Sequence, residues 1–155
     1  MTPMNQINPD LLSAILADAA IDHEVRGDND IYVTALAFNF WIRLDVERPI
    51  LIFSTYWDFT DEPSELEQLL CINTLNSDLL MLQFFVGDQS NRLYGHYALP
   101  IHDGLDQRQF LRIARMFAEI FRSSISSDEH GHLFEPWPDE PEIAALAPPA
   151  PKMLN

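Results

Sequence analysis

The sequence predicts an α+β fold: a mainly antiparallel five-stranded sheet with helices packed on one face, in the order α-βββ-α-ββ-α. Three observations predict it. Residues 38–47 alternate strictly, with Phe38, Phe40, Ile42, Leu44 and Val46 against Asn39, Trp41, Arg43, Asp45 and Glu47, the period of a strand with one core face and one wet face. Residues 110–125 instead repeat at helical spacing, through Phe110, Leu111, Ala114, Phe117, Ala118, Phe121 and Ile125. Turn-forming residues separate the other strand-like runs at hairpin distances, which favours antiparallel neighbours over crossovers.

Each element has a local cause. Asn8, Pro9 and Asp10 supply an N-cap, a proline at the first helical position and a carboxylate at the positive helix end, so a first helix runs to about Ala20 on Leu11, Leu12, Ile15, Leu16 and Ala19. From Ile21 to Trp57, turns at 27–30 and 47–49 leave three strands, the alternating segment being the middle one. Ser64 and Glu67 after Pro63 form a capping box for a short second helix whose apolar stripe is Leu66, Leu69, Leu70 and Leu75. Strands over 80–86 and 92–101, joined through Gly87 to Asn91, make a hairpin. Asp106 then caps the third helix, which runs to about Ser124 with Arg108, Arg112, Arg115 and Arg122 on its polar side. A single domain over 1–125 is expected, followed by an acidic, proline-rich tail over 126–155 in which Pro136, Pro138, Pro141, Pro148, Pro149 and Pro151 exclude a long helix.

Composition narrows the function. The 155 residues carry 24 acidic and 9 basic side chains, a net charge of −15, and Lys152 is the sole lysine. Such a balance disfavours a nucleic-acid partner, since phosphate binding requires basic patches. No apolar run approaches the roughly 18 residues of a membrane span, and no basic start precedes an apolar stretch, so the expectation is a cytoplasmic protein with no membrane partner. With Cys71 alone, neither an intrachain disulfide nor a thiolate cluster can form.

Catalytic and ligand chemistry finds little support. Phosphate loops, nucleophile elbows and dinucleotide fingerprints are missing from a chain with five glycines. Asp128, Glu129, His130 and His132 are metal-ligand types, but their spacing fits a solvated loop and not a helical i, i+4 pair. Cys71 lies among Leu69, Leu70 and Ile72 and reads as an inert core thiol. Asp58 and Asp61 read as helix-flanking acids, and Asn73 and Asn76 as caps at a helix end. No catalytic residue, cofactor or metal is therefore assigned.

The helix ending Ile72-Asn73-Thr74-Leu75-Asn76, the hairpin from Met81 to Leu99 and the helix starting near Asp106 after Gly104 resemble the YbjN-like family of bacterial sensory transduction regulators. That resemblance implies a fold similar to type III secretion chaperones, which are acidic, commonly dimeric proteins that hold other polypeptides, and it brings no catalytic residues.

Binding to protein is the expectation that remains. Leu51, Phe53 and Trp57 alternate with Ile50, Ile52 and Tyr56, and Met81 and Phe85 with Leu80, Leu82 and Phe84, so both sheet faces are apolar and helices cover only one. The expected function is a non-enzymatic regulator or chaperone-like adaptor that forms a homodimer and binds a further protein. A dedicated type III secretion chaperone and a small-ligand sensor domain are the alternatives. Candidate partner-binding residues are Trp41, Phe53, Trp57, Phe85, Arg108, Arg112, Arg115, Arg122, Phe134 and Trp137. The tail is expected to fold back near the third helix, anchored by Phe134 and Trp137, with the acids Asp128, Glu129, Glu135, Asp139, Glu140 and Glu142 near its arginines.

Overall fold

The computed structural model describes residues 1–87 and 91–137. Three helices, α1 (Pro9–Asp18), α2 (Glu65–Asp78) and α3 (Gln107–Ser126), are combined with six strands. The strands are β1 (His23–Arg26), β2 (Asp30–Val33), β3 (Phe40–Asp45), β4 (Ile50–Asp58), β5 (Gln83–Val86) and β6 (Arg92–Pro100). They form one antiparallel sheet in the order β1-β2-β3-β4-β6-β5. The α+β class and the antiparallel sheet are as the sequence predicts, with six strands where it predicts five.

The additional strand comes from a turn that the sequence does not punctuate. β2 and β3 are separated by residues 34–39, where Ala35 adopts φ 60 without a glycine or proline to mark the reversal. Leu36 and Ala37 pack against the core and hold that turn in place. Two strand boundaries also move. Val46, expected on the core face, is exposed because β3 stops at Asp45, whose carboxylate receives the Arg48 backbone N–H at 3.0 Å and closes the turn. β5 starts at Gln83, leaving Leu80 outside it.

The helix starts follow their predicted chemistry. Asn8 Oδ1 accepts from Leu11 N at 2.9 Å, Ser64 and Glu67 form the reciprocal capping box, and Asp106 Oδ1 accepts from the Arg108 and Gln109 backbone N–H groups. α1 ends in a Schellman motif: Ala20 N–H donates to Ala17 O, Ile21 N–H donates to Leu16 O, and Ala20 takes φ 55. Ile21 and Leu16, both buried, make the apolar contact that accompanies this motif.

One core lies between the helices and one sheet face. The strands present Ile31, Val33, Phe40, Ile42, Leu51, Phe53 and Leu93 to it, and α1 adds Leu12 and Leu16. α3 adds Phe110, Phe117 and Phe121, with Phe117 5.2 Å from Phe40 and 6.0 Å from Phe53 between ring centres. α3 approaches so closely at Gly95 that a Cβ there would lie 2.7 Å from Phe121 Cδ2.

The opposite face covers itself. Tyr32, Trp41, Ile52, Ser54 and Tyr56 are buried on it although their side chains belong to no helix contact of the main core. Tyr32 and Trp41 pack at 4.8 Å under the Arg26 guanidinium, Arg92 lies 4.4 Å from the Tyr56 ring centre, and Tyr56, Tyr94 and Phe85 form an aromatic row. Trp41 therefore does not lie on a wet face as its alternation implies; cross-strand aromatic and arginine neighbours remove it from water.

Candidate functional site

The helix that departs furthest from its sequence pattern is α2. It turns Cys71, Ile72 and Leu75 into the core, so its other apolar residues face outward. Leu66, Leu69 and Leu70 are 65%, 52% and 57% exposed, and Leu80, just beyond the helix end, is 95% exposed. Within the helix the positions 66, 69, 70, 73 and 77 fall on one stripe, and none of Leu66, Leu69, Leu70, Asn73 and Ser77 is charged. Helical spacing alone places the three helical leucines inside. The signal that separates the two sets is that apolar residues at 66, 69, 70, 71, 72 and 75 span more than one helix face, so a single packing surface cannot bury them all.

A second exposed row runs along α3. Arg108, Arg112, Arg115 and Arg122 are exposed on one side of the helix, and Arg108, Arg112 and Arg115 form no ion pair among the described residues. With Leu111 and Met116 these three arginines line an open groove of about 400 Å³.

The segment after α3 folds back to the core. Phe134 is buried and stacks on Phe59 at 4.6 Å. Thr60 N–H donates to Leu133 O and Glu135 N–H to Asp58 O, an antiparallel bridge beside the end of β4. Trp57 Nε1 donates to Glu135 O at 2.8 Å. Trp137 then packs against Phe38 at 4.6 Å and Trp57 at 5.0 Å, with the Arg122 guanidinium 5.8 Å from its ring centre. Asp139, Glu140 and Glu142 of the expected tail contact lie outside the described residues.

The ten sequence candidates thus fall in four places. Trp57, Phe134, Trp137 and Arg122 come together, while Arg108, Arg112 and Arg115 line the α3 groove. Trp41 and Phe85 lie on the self-covered sheet face, and Phe53 is enclosed in the core and presents no surface. Burial pushes the Cys71 thiol up to about 11, with the Glu129 carboxylate adding to it, so the sulfur is protonated at neutral pH. Among the described residues, no three metal-ligating side chains converge. Asn76 ties α2 to the sheet edge. Its amide donates to Phe84 O at 3.0 Å and accepts from Phe84 N at 2.8 Å, pairing both backbone groups of an edge-strand residue.

The family model described as "Putative bacterial sensory transduction regulator" matches residues 8–128. The chain belongs to the YbjN family. Among solved structures, it is similar to E. coli YbjN, described as a putative transcription regulator, with a TM-score of 0.67, 18% identity, and coverage of 82% of this chain and 95% of that one. It is also similar to a chain of the HopA1-SchA chaperone-effector complex, with a TM-score of 0.52, 10% identity, and coverage of 72% and 88% respectively. At these identities the likeness is one of fold. No curated protein matches the chain in sequence. The YbjN match ends at residue 128, before Phe134 and Trp137. Among the described residues of this YbjN-family chain, no helix is long and apolar enough to cross a membrane.

Proposed function

We propose that this YbjN-family chain is a non-enzymatic, cytoplasmic regulator or chaperone-like adaptor that acts by binding protein, and that its first partner is a second copy of itself. In this reading residues 1–125 are the working domain and 126–155 its acidic appendage, packed on the domain through Trp137. The exposed leucine stripe of α2 carries the reading. Three large apolar side chains in one helical row, with exposed Leu80 just past its end, are unusual on a surface that only meets water. A stripe without charge is also complementary to its own two-fold copy, which needs no opposite charge to match. The pairing is to be sought across micromolar concentrations.

The doubly apolar strands no longer support the dimer, because the second sheet face is covered by its own tyrosines, tryptophan and arginines. The test is the double variant Leu66→Glu/Leu70→Glu. It is expected to sediment as a monomer while keeping the wild-type circular dichroism and melting temperature, since both leucines are outside the core. A variant with the same mass as the wild type would remove α2 as the interface. The likeness to a chain of a chaperone-effector complex favours a second reading, a dedicated secretion chaperone, which predicts capture of one effector protein in preference to others.

A further inference from the structure

β4 outlasts its neighbour β3, and the chain fills the difference with its own back-folded segment. The β3–β4 register ends with Trp41 opposite Ser54, while β4 continues to Asp58 and stays paired with Arg92 of β6. Beyond it, Phe59 N–H still donates to Asn91 O on the β6 side. Alternation therefore turns Asp58 C=O and Thr60 N–H to the side that β3 has left. Residues 133–135 take that place: Thr60 N–H donates to Leu133 O at 2.9 Å and Glu135 N–H to Asp58 O at 3.0 Å, with Phe59 opposite Phe134. These two bonds use main-chain groups only, so they ask for an extended backbone and not for a sequence. Selection comes from the walls. Phe59 stacks on Phe134, and Phe38, Trp57 and the Arg122 guanidinium contact Trp137. Between the two rings, the Trp57 indole N–H donates to Glu135 O at 2.8 Å.

We propose that this cleft, between the end of β4 and the C-terminal end of α3, binds an extended segment of a partner protein with two aromatic side chains three positions apart, and that residues 133–137 hold it as a tethered competitor. The groups that form its walls, Phe38, Trp57, Phe59, Thr60 and Arg122, all precede the segment seated in it. That segment is the mould of the partner: a ring at the position of Phe134, a carbonyl at the next residue for the Trp57 indole, and a second ring at the position of Trp137. Pro136, between them, has no N–H to leave unpaired and favours the extended step. A partner segment makes the same contacts without a tether, so it must displace a competitor whose effective concentration is on the order of millimolar. Release is local, because the β4–β6 pairing does not depend on the segment. The cleft uses no residue of α2, so it rests on the protein-binding reading and not on the dimer.

The experiment uses three full-length proteins and a fluorescent peptide with the sequence of residues 131–137. The proteins are the wild type, the variant Phe134→Ala/Trp137→Ala, which empties the cleft, and that variant with Thr60→Pro added, which removes a main-chain donor. The emptied protein is expected to bind the peptide at least about tenfold more tightly than the wild type, whose cleft is held in cis, and to melt at a higher temperature in its presence. Adding Thr60→Pro, or replacing both aromatic residues of the peptide by alanine, is expected to weaken binding about tenfold. Because Phe134 is buried, circular dichroism checks the fold of the emptied protein, and the wild type supplies a second measurement that needs no variant. Its Thr60 amide is expected to exchange at least about tenfold faster than the adjacent Phe59 amide, since the first is freed when the segment lifts and the second stays bonded to Asn91. Equal affinity of wild type and emptied protein, binding indifferent to Thr60→Pro or to the peptide's aromatic residues, no binding by any of the three, or a Thr60 amide as slow as that of Phe59 would each overturn the proposal. Light scattering on the wild type reports the α2 dimer separately, so either result can fail alone.

Discussion

Asn76 shows how a residue that resembles a ligand can instead complete a fold. Its amide satisfies both the N–H and the C=O of Phe84, so Asn76→Ala leaves two groups of a half-covered strand without their partner. A destabilisation of about 1–3 kcal/mol is expected in urea unfolding. Ala20 and Ala35 make the opposite kind of prediction, since both hold positive φ that a glycine accepts without strain. Ala35→Gly is expected to raise stability by up to about 1 kcal/mol, the relief of left-handed strain exceeding the added chain entropy. His96, bonded to Gln83 and packed on Phe85, has its pKa lowered from 6.5 by burial. The folded state therefore binds its proton less readily than the unfolded chain. The stability it carries is complete above pH 6.5 and is lost as the pH falls through the lower folded value. Urea midpoints at pH 7 and pH 5 should fall less in His96→Gln than in the wild type, and equal falls would exclude this origin.

At the scale of elements, helices were the most legible because capping residues and apolar spacing agree at each start. Asn8, Ser64 and Asp106 all perform the bonds their sequence positions imply. The β2–β3 division was not legible, because an alanine turn has no glycine or proline signature and its cause is tertiary packing of Leu36 and Ala37. For the same reason the side of α2 that meets solvent could not be read. Its hydrophobic pattern is two-sided, and only the position of β5 decides which side is buried. Helix-to-sheet contact is testable at Gly95. Gly95→Ala forces its Cβ against the Phe121 ring, which is fixed in the core, with an expected cost of about 1–3 kcal/mol from overpacking. The back-folded segment was legible in outline, since Phe134 and Trp137 stand out as its anchors. Trp137→Ala removes its contacts with Phe38, Trp57 and Arg122, and a thermal shift equivalent to about 2 kcal/mol is expected.

For the molecule as a whole, the distribution of apolar surface matters more than its amount. The sheet face without helices solves its own exposure by stacking arginines on aromatic rings, whereas α2 leaves three leucines to water and Leu80 just past its end is a fourth. Net acidity keeps such a chain dispersed through long-range repulsion, and a neutral stripe is where that repulsion is least opposed to contact. Association should thus tighten as salt screens the like charges, the reverse of an interface held by ion pairs. The central claim is that α2 pairs with a second copy of itself. Multi-angle light scattering of the full chain across micromolar concentrations tests it most directly. A mass of twice 17.8 kDa that persists or strengthens with added salt is the predicted result, and a mass of 17.8 kDa at every concentration and salt would contradict it.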